Sequence, residues 1–311
     1  STPVTGAIAL NTNTVIRSIS ISSDANIPSS FLETNTYFFN ISHTMRILSI
    51  CGDEIYDFIT DVHPLAFDIN FEGHIEMFSS AGVLIDEGAG NCNKHGNDSW
   101  YYDQRGIDFI MKDQYGYNYA LKDQIFKGKS RGEYKKLMIK AAANDNVSFE
   151  PGGAYIRDAF VHSLSQVGDL KMDERSYEPA ILYVNGEYWG LYELREWVAD
   201  DGFTDYYYDQ DEQFVESDSS IQFLRTWGNT WAHYGNNPAL ADWNTFVTFV
   251  TSNDMSIQAN FDYVDSVFNW KSMVDYFCVN SYTVCADWLN WNTSWWRGLN
   301  PDGDKKKWRY T

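Results

Sequence analysis

Ala180-Ile181-Leu182-Tyr183-Val184-Asn185-Gly186-Glu187-Tyr188-Trp189-Gly190-Leu191-Tyr192 is the stretch on which the fold turns. Asn-Gly between two apolar runs is the strongest short-range signal for a two-residue hairpin, because both turn residues must take positive φ. The stretch reads as two antiparallel strands, 180–184 and 187–192. Just upstream, between Gly153 and Gly168, apolar side chains fall at Ile156, Ala159, Phe160, Leu164 and Val167. That spacing predicts a helix over 154–167. Further upstream, alternation in 15–21, 35–50, 66–71 and 106–111 predicts strands, and the Gly- and Asn-rich run 88–99 reads as a polar loop between two of them. Downstream, 239–252, 255–268 and 271–286 read as helices. The strand-rich first half and helix-rich second half meet near 195–205, and the fold class is α+β.

The chain has 311 residues, enough to bury a sizeable core, with 44% hydrophobic and 17% aromatic residues. Such a composition excludes general disorder. Lys and Arg number 23 against 43 Asp and Glu, a formal net charge of −20. A surface of that sign repels nucleic-acid backbones and anionic membranes, so neither is expected as a partner. No apolar run is long enough to cross a membrane, and the opening Ser1-Thr2-Pro3-Val4 lacks the features of a signal peptide. The chain is therefore either cytoplasmic or a mature or trimmed one. Cys51, Cys92, Cys278 and Cys285 have no CxxC spacing, which argues against a thiolate zinc site. Long-range disulfides and four free buried thiols both remain open.

Three segments could carry chemistry. Asp287 is followed five residues later by Asn292, directly after the last expected helix. A kinase catalytic loop has this spacing: its Asp accepts the proton of the attacking hydroxyl and its Asn holds magnesium. In an Asp- and Asn-rich chain the same spacing also arises by chance. Gly96-Asn97-Asp98-Ser99, followed by Arg105 at the start of a strand, could form an anion-binding turn with a neighbouring cation; the plainer reading is a hairpin with a surface Arg. Tyr192-Glu193-Leu194-Arg195-Glu196 ends the second hairpin strand at the domain boundary, where a carboxylate could reach a ribose or a metal, or form an interdomain ion pair. The acidic stretch Asp200 to Glu212 reads as a solvated face. Trp288, Trp291, Trp295 and Trp296 read as packing of the helical part, with a carbohydrate-binding surface as the alternative.

The order of these parts resembles a protein kinase, and at residue level the chain resembles the spore-coat protein H (CotH) kinase-like family. Four stretches carry the resemblance: Gly96-Asn97-Asp98-Ser99 with Gln104-Arg105-Gly106; Asp145 with Ile156-Arg157-Asp158; Val184 through Glu196; and Asn280, Asp287 and Asn292 with Trp308-Arg309-Tyr310. The third is the specific one, and the resemblance spans roughly 35–311. It implies an atypical kinase-like, two-lobed α+β fold: 1–34 the end of a preceding β-module or linker, 35–197 a β-rich N-lobe, 198–311 a helical C-lobe. The implied activity is transfer of the γ-phosphoryl of ATP, with Mg2+ or Mn2+, to a protein hydroxyl. Asp287 would be the catalytic base and Asn292 a metal ligand. Gly96, Asn97 and Ser99 would cover the phosphates, Arg105 would pair with them, and Glu196 would line the nucleotide cleft.

Two departures matter. Arg105 stands where the family has Lys, and it is expected to pair with Asp158 or Glu196. The family's second metal-ligand Asp would follow the strand containing Trp308-Arg309-Tyr310, but the sequence stops at Thr311, so it reads as a fragment of a longer protein that is nearly inactive by itself. The implied setting is the surface or exterior of a bacterium, with a protein substrate or neighbouring domains of a larger surface protein as partners. The rival reading is a catalytically dead kinase-like structural or adhesive module. With a net charge of −20, the cations available to nucleotide phosphates reduce to Arg105, Lys140 or Arg157 and bound metal.

Overall fold

A computed structural model of the chain describes residues 3–60, 69–146, 151–210, 220–300 and 306–311. In chain order its elements are β1 (Thr14–Ser18), β2 (Glu33–Tyr37), β3 (Arg46–Cys51), α1 (Ile55–Thr60), β4 (Phe71–Phe78), β5 (Leu84–His95), β6 (Gly106–Met111), β7 (Lys136–Lys140), α2 (Arg157–Val167), β8 (Tyr177–Val184), β9 (Glu187–Glu196), α3 (Asp201–Tyr208), β10 (Ile221–Trp227), β11 (Asn229–Tyr234), α4 (Asn236–Ser252), α5 (Gln258–Val267), α6 (Trp270–Tyr282), β12 (Thr293–Gly298) and β13 (Arg309–Tyr310). The class is α+β. The chain forms two compact units, 1–156 with 177–196, and 157–176 with 197–311.

The first unit is built on a closed barrel of strand order β3-β4-β5-β6-β7-β9-β8. The hairpin β8–β9 forms where Asn185 and Gly186 take φ of 48° and 85°, the two positive values that a two-residue hairpin turn requires. Asn185 also ties this turn to the end of β3: its side chain exchanges hydrogen bonds with the Gly52 backbone at 3.0 and 3.2 Å. The barrel closes by the parallel pairing of β3 with β8, Arg46 opposite Ala180 through Ile50 opposite Val184. Inward positions of the strands, among them Leu48, Ile75, Phe109, Leu137, Leu182 and Leu194, are fully or almost fully buried in one core. The β1–β2 ribbon belongs to this unit. Thr36 of β2 donates through Oγ1 to the buried Glu76 of β4 and lies 2.7 Å from Ser49 Oγ of β3.

One expectation fails here. Most of 88–99 is strand, the second half of β5. Gly88 and Gly90 answer a need for close approach, not for a turn: a Cβ on Gly90 would stand 2.1 Å from the Ile110 carbonyl oxygen of β6. The sequence alternation sought at 66–71 gives β4 only from Phe71; residues 66–68 lie outside the described residues.

The second unit, read as a helical lobe over 198–311 with a strand at Trp308-Arg309-Tyr310, holds more sheet than that reading gave it. It carries an antiparallel sheet of order β11-β10-β12-β13 beside α3–α6. Adjacent Trp295 and Trp296 on β12 point to opposite faces, as strand geometry demands. Trp295 packs with Leu224, Phe246, Phe268 and Trp308, and Trp296 with Phe203, Tyr208, Ile221 and Phe223. Helix α2 lies within the range read as N-lobe, yet it belongs to this unit. Val161 on it, with Leu170 and Met172 just after it, packs against Tyr276 and Val279 of α6. All four cysteines are free thiols; Cys51 and Cys92 are buried, whereas Cys278 is exposed.

Candidate functional site

In the first unit the candidate site lies where β5 passes into β6. β5 ends at His95, Gly96 follows at φ +92°, a 3-10 turn covers Asp98–Tyr101, and β6 starts at Gly106. A Cβ on residue 96 would stand 2.3 Å from Ser99 Oγ, so only glycine fits this corner. The Trp100 amide donates to the Asn97 carbonyl at 3.1 Å and closes the turn. Beside it is a pocket of about 190 Å3 lined by His95, Gly96, Ser99, Gln104, Gly106, Lys140, Ala141 and Ala143. The structure thus brings Gly96 and Ser99 together at one concavity, with Asn97 in the turn that shapes it.

Several neighbours hold this wall rigid. Gln104 Oε1 accepts from Asn146 Nδ2 at 3.1 Å and from the Tyr155 hydroxyl at 2.9 Å. Asn146 also donates to the Ala141 carbonyl at 3.1 Å. His95 Nδ1 lies 3.0 Å from Asp108 Oδ1. Ala142 and Ala143 take φ of 56° and 47°, a left-handed backbone that costs an L-residue about 1–2 kcal/mol each. Strain of this kind persists where the surroundings over-determine the geometry, and it gathers at functional sites.

Arg105 is not part of the pocket wall. Arg105 directly precedes β6 and is 8% exposed, buried against core Trp100. Its guanidinium lies over the Trp100 ring at 5.2 Å, and its Nε donates to the Tyr102 carbonyl at 3.4 Å. Glu196, expected to pair with Arg105 and to line the nucleotide cleft, meets the guanidinium of Arg131. It is fully buried, 3.1 Å from Arg131 Nη1. The register explains this: Lys140 stands opposite Glu193, and Glu196 stands opposite Leu137, about 10 Å further along β9. Asp158 is 3.6 Å from His162 in the other unit. Sequence reading missed Gln104's supports, Asn146 and Tyr155, and missed Arg131. None of these has a local pattern; each is brought in by strand pairing or by a loop.

In the second unit, Asp287 and Asn292 do meet. The loop between α6 and β12 folds back so that Asn292 Nδ2 donates to Asp287 Oδ2 at 2.8 Å, with both side chains exposed. Leu289 and Asn292 take φ of 68° and 52°, which bends the loop twice. The Gly228 amide at the β10–β11 turn donates to the Asn290 carbonyl at 2.6 Å, and Trp291 meets Trp227 edge to face at 5.1 Å. Of the four clustered tryptophans, Trp295 and Trp296 are buried, Trp288 packs on Tyr276 and Phe277, and Trp291 is 41% exposed. Packing accounts for three of them.

The fit of a divalent ion rests on Asn292. Its Nδ2 donates to Asp287, which makes Oδ1 the atom of this side chain able to ligate a cation. Among the described residues no group of three or more His, Cys, Asp or Glu could hold a metal by itself. In kinase catalytic loops an Asn is one of two side chains that hold the magnesium carried on nucleotide phosphates, and Asn292 fits that more modest role.

A second polar centre in this unit was not anticipated. Asp173, 8% exposed, accepts from the Tyr208 hydroxyl and, at 2.8 Å, from Trp296 Nε1, and it lies 3.7 Å from Arg309 Nε. It ties α3, β12 and β13 to the segment after α2.

A search of curated proteins finds no match for this chain. A profile of the family described as CotH kinase protein matches residues 95–311. The matched range opens at His95, at the first residue of the pocket wall, and runs through Asp287 and Asn292, so it contains the pocket-forming residues and the Asp287–Asn292 pair. Because the match covers more than half of the sequence, the chain belongs to the CotH kinase protein family.

Proposed function

We propose that this chain is an atypical protein kinase domain that transfers the γ-phosphoryl group of ATP to a hydroxyl of a protein substrate. The observation that carries the proposal is the Asp287–Asn292 hydrogen bond at 2.8 Å. An amide that orients an exposed carboxylate while keeping its own oxygen available is what the acceptor side of phosphoryl transfer needs. In this reading Asp287 accepts the proton of the acceptor hydroxyl as that oxygen forms its bond to the γ-phosphorus and the bond to the β–γ bridging oxygen breaks. Asn292 holds Asp287 in place and offers Oδ1 to a divalent ion, which when bound would offset charge on the phosphates. The pocket at Gly96 and Ser99 receives phosphate oxygens. The barrel unit corresponds to an N-lobe and the unit with α3–α6 to a C-lobe, with ATP and Mg2+ or Mn2+ as the ligands.

The proposed setting is the surface or exterior of a bacterium. The net charge of −20 supports solubility there, and among the described residues no helix is long and apolar enough to cross a membrane. The test is incubation of the full chain with γ-labelled ATP and Mg2+ or Mn2+, alone and with candidate surface proteins. Weak label transfer is expected, and Asp287→Asn should lower its rate by about 10²–10⁴-fold while ATP binding is retained. Nucleotide binding with no transfer under any metal would instead establish a kinase-like structural module.

A further inference from the structure

We propose that Lys140, and not Arg105, is the cation that binds phosphate in the pocket at Gly96 and Ser99. The inference rests on the kinase reading for the identity of the ligand, and on geometry for the identity of the residue. Arg105 stands at the position where the family resemblance calls for a phosphate-pairing Lys, yet it is buried with its guanidinium over the core residue Trp100. Lys94, the inward cation of β5, lies over the same ring at 5.9 Å. Lys140 closes β7 on the outward face and lines the pocket together with Gly96, Ser99 and Gln104.

Two further features favour the assignment. First, Lys140 stands directly opposite Glu193 of β9 in the antiparallel register. Directly opposed side chains have Cβ atoms about 4.5–5.5 Å apart. Glu193 is 3% exposed, and its Oε2 accepts from Arg195 Nη1 at 3.2 Å. A buried, fixed carboxylate across from a lysine is the arrangement that steers an ammonium toward phosphate in phosphoryl-transfer sites. Here it is assembled from β7 and β9. Second, the pocket of about 190 Å3 is smaller than the roughly 300 Å3 at which sites for drug-sized ligands begin. It suits phosphate groups, with the nucleoside outside it, and a compact ammonium fits so small a space better than the larger guanidinium fork.

Calorimetric titration of the full chain with pyrophosphate and with ADP, in magnesium buffer, tests this. Lys140→Met is expected to weaken pyrophosphate binding by about 10-fold or more, the usual effect of deleting a charge-assisted hydrogen bond, and Lys140→Arg to recover part of it. Lys122→Met removes the same charge from a lysine that lies over Tyr119 and should leave affinity within about twofold. Melting curves for each variant separate lost binding from lost folding, and Lys140→Gln serves if the Met variant unfolds. The proposal is overturned if the Lys140 variants bind pyrophosphate as the parent does, if the parent does not bind it, or if Arg105→Lys alone loses it. Binding that depends on Lys140 without any transfer of label from ATP would leave this assignment standing and remove the kinase reading.

Discussion

Glu76 shows how a single buried residue sets a pH response. It is 2% exposed beneath β2, where Thr36 donates to it from its amide at 2.9 Å and from its hydroxyl. Burial pushes its carboxyl above the ordinary range; the Thr36 hydrogen bonds pull the other way, and the nearby negative Glu87 adds to the rise. The folded state therefore holds this proton more tightly than the unfolded state does. Its stabilising contribution is complete below the ordinary carboxylate value and is lost as pH rises through the elevated one. In urea unfolding from acid to mildly alkaline pH, Glu76→Gln should gain stability relative to the parent as pH increases; a constant difference would refute the assignment. Asp173 makes a prediction of a different kind. Asp173→Ala leaves Arg309 facing Tyr208 without its carboxylate, and removing one partner of a buried pair costs about 3–5 kcal/mol, readable as a lower melting temperature. Asp287 was legible because its partner is five residues away in one loop. Asp173 was not, since Trp296 lies 123 positions further along the chain.

At the scale of elements, the β8–β9 hairpin was legible and β5 was misread, for one reason. Asn185-Gly186 specifies its conformation through the φ values those two residues adopt, a local property. Gly88 and Gly90 look like loop residues in isolation, and only the approach of β6 explains them. A Cβ at Gly90 would stand 2.1 Å from the Ile110 oxygen, so Gly90→Ala should force β5 and β6 apart at a cost of about 1–3 kcal/mol, measured as a lower urea midpoint. Helices α4, α5 and α6 were legible from apolar spacing, whereas β10 and β11 were passed over. The register shift opposite Phe223 and Leu224 puts an extra residue, His233, into β11 and breaks the alternation there, and the polar face of β11 leaves little apolar signal.

At the scale of the whole molecule the net charge of −20 governs behaviour. Self-repulsion among exposed carboxylates is screened within about 10 Å at 0.1 M salt, so sodium chloride should raise the melting temperature from its low-salt value. A decrease would mean that attractive pairs, such as Arg46–Asp123 at 2.8 Å, outweigh the repulsion. The same field should make ATP binding depend on divalent metal, lost on chelation and restored by magnesium. What the sequence by itself determined is whatever rests on neighbours along the chain: the hairpin turn, the helix periods, the spacing of Asp287 and Asn292, and the order of motifs that marks the family. Tertiary structure alone decided that Gln104 and Gly106 face the pocket while Arg105 faces the core, that Lys140 joins Gly96 there, and that Glu196 is held by Arg131 from 65 residues away. Strand pairing makes those choices. A register shift of one residue reverses every side chain on a strand, and register is set by packing between segments that are distant in sequence.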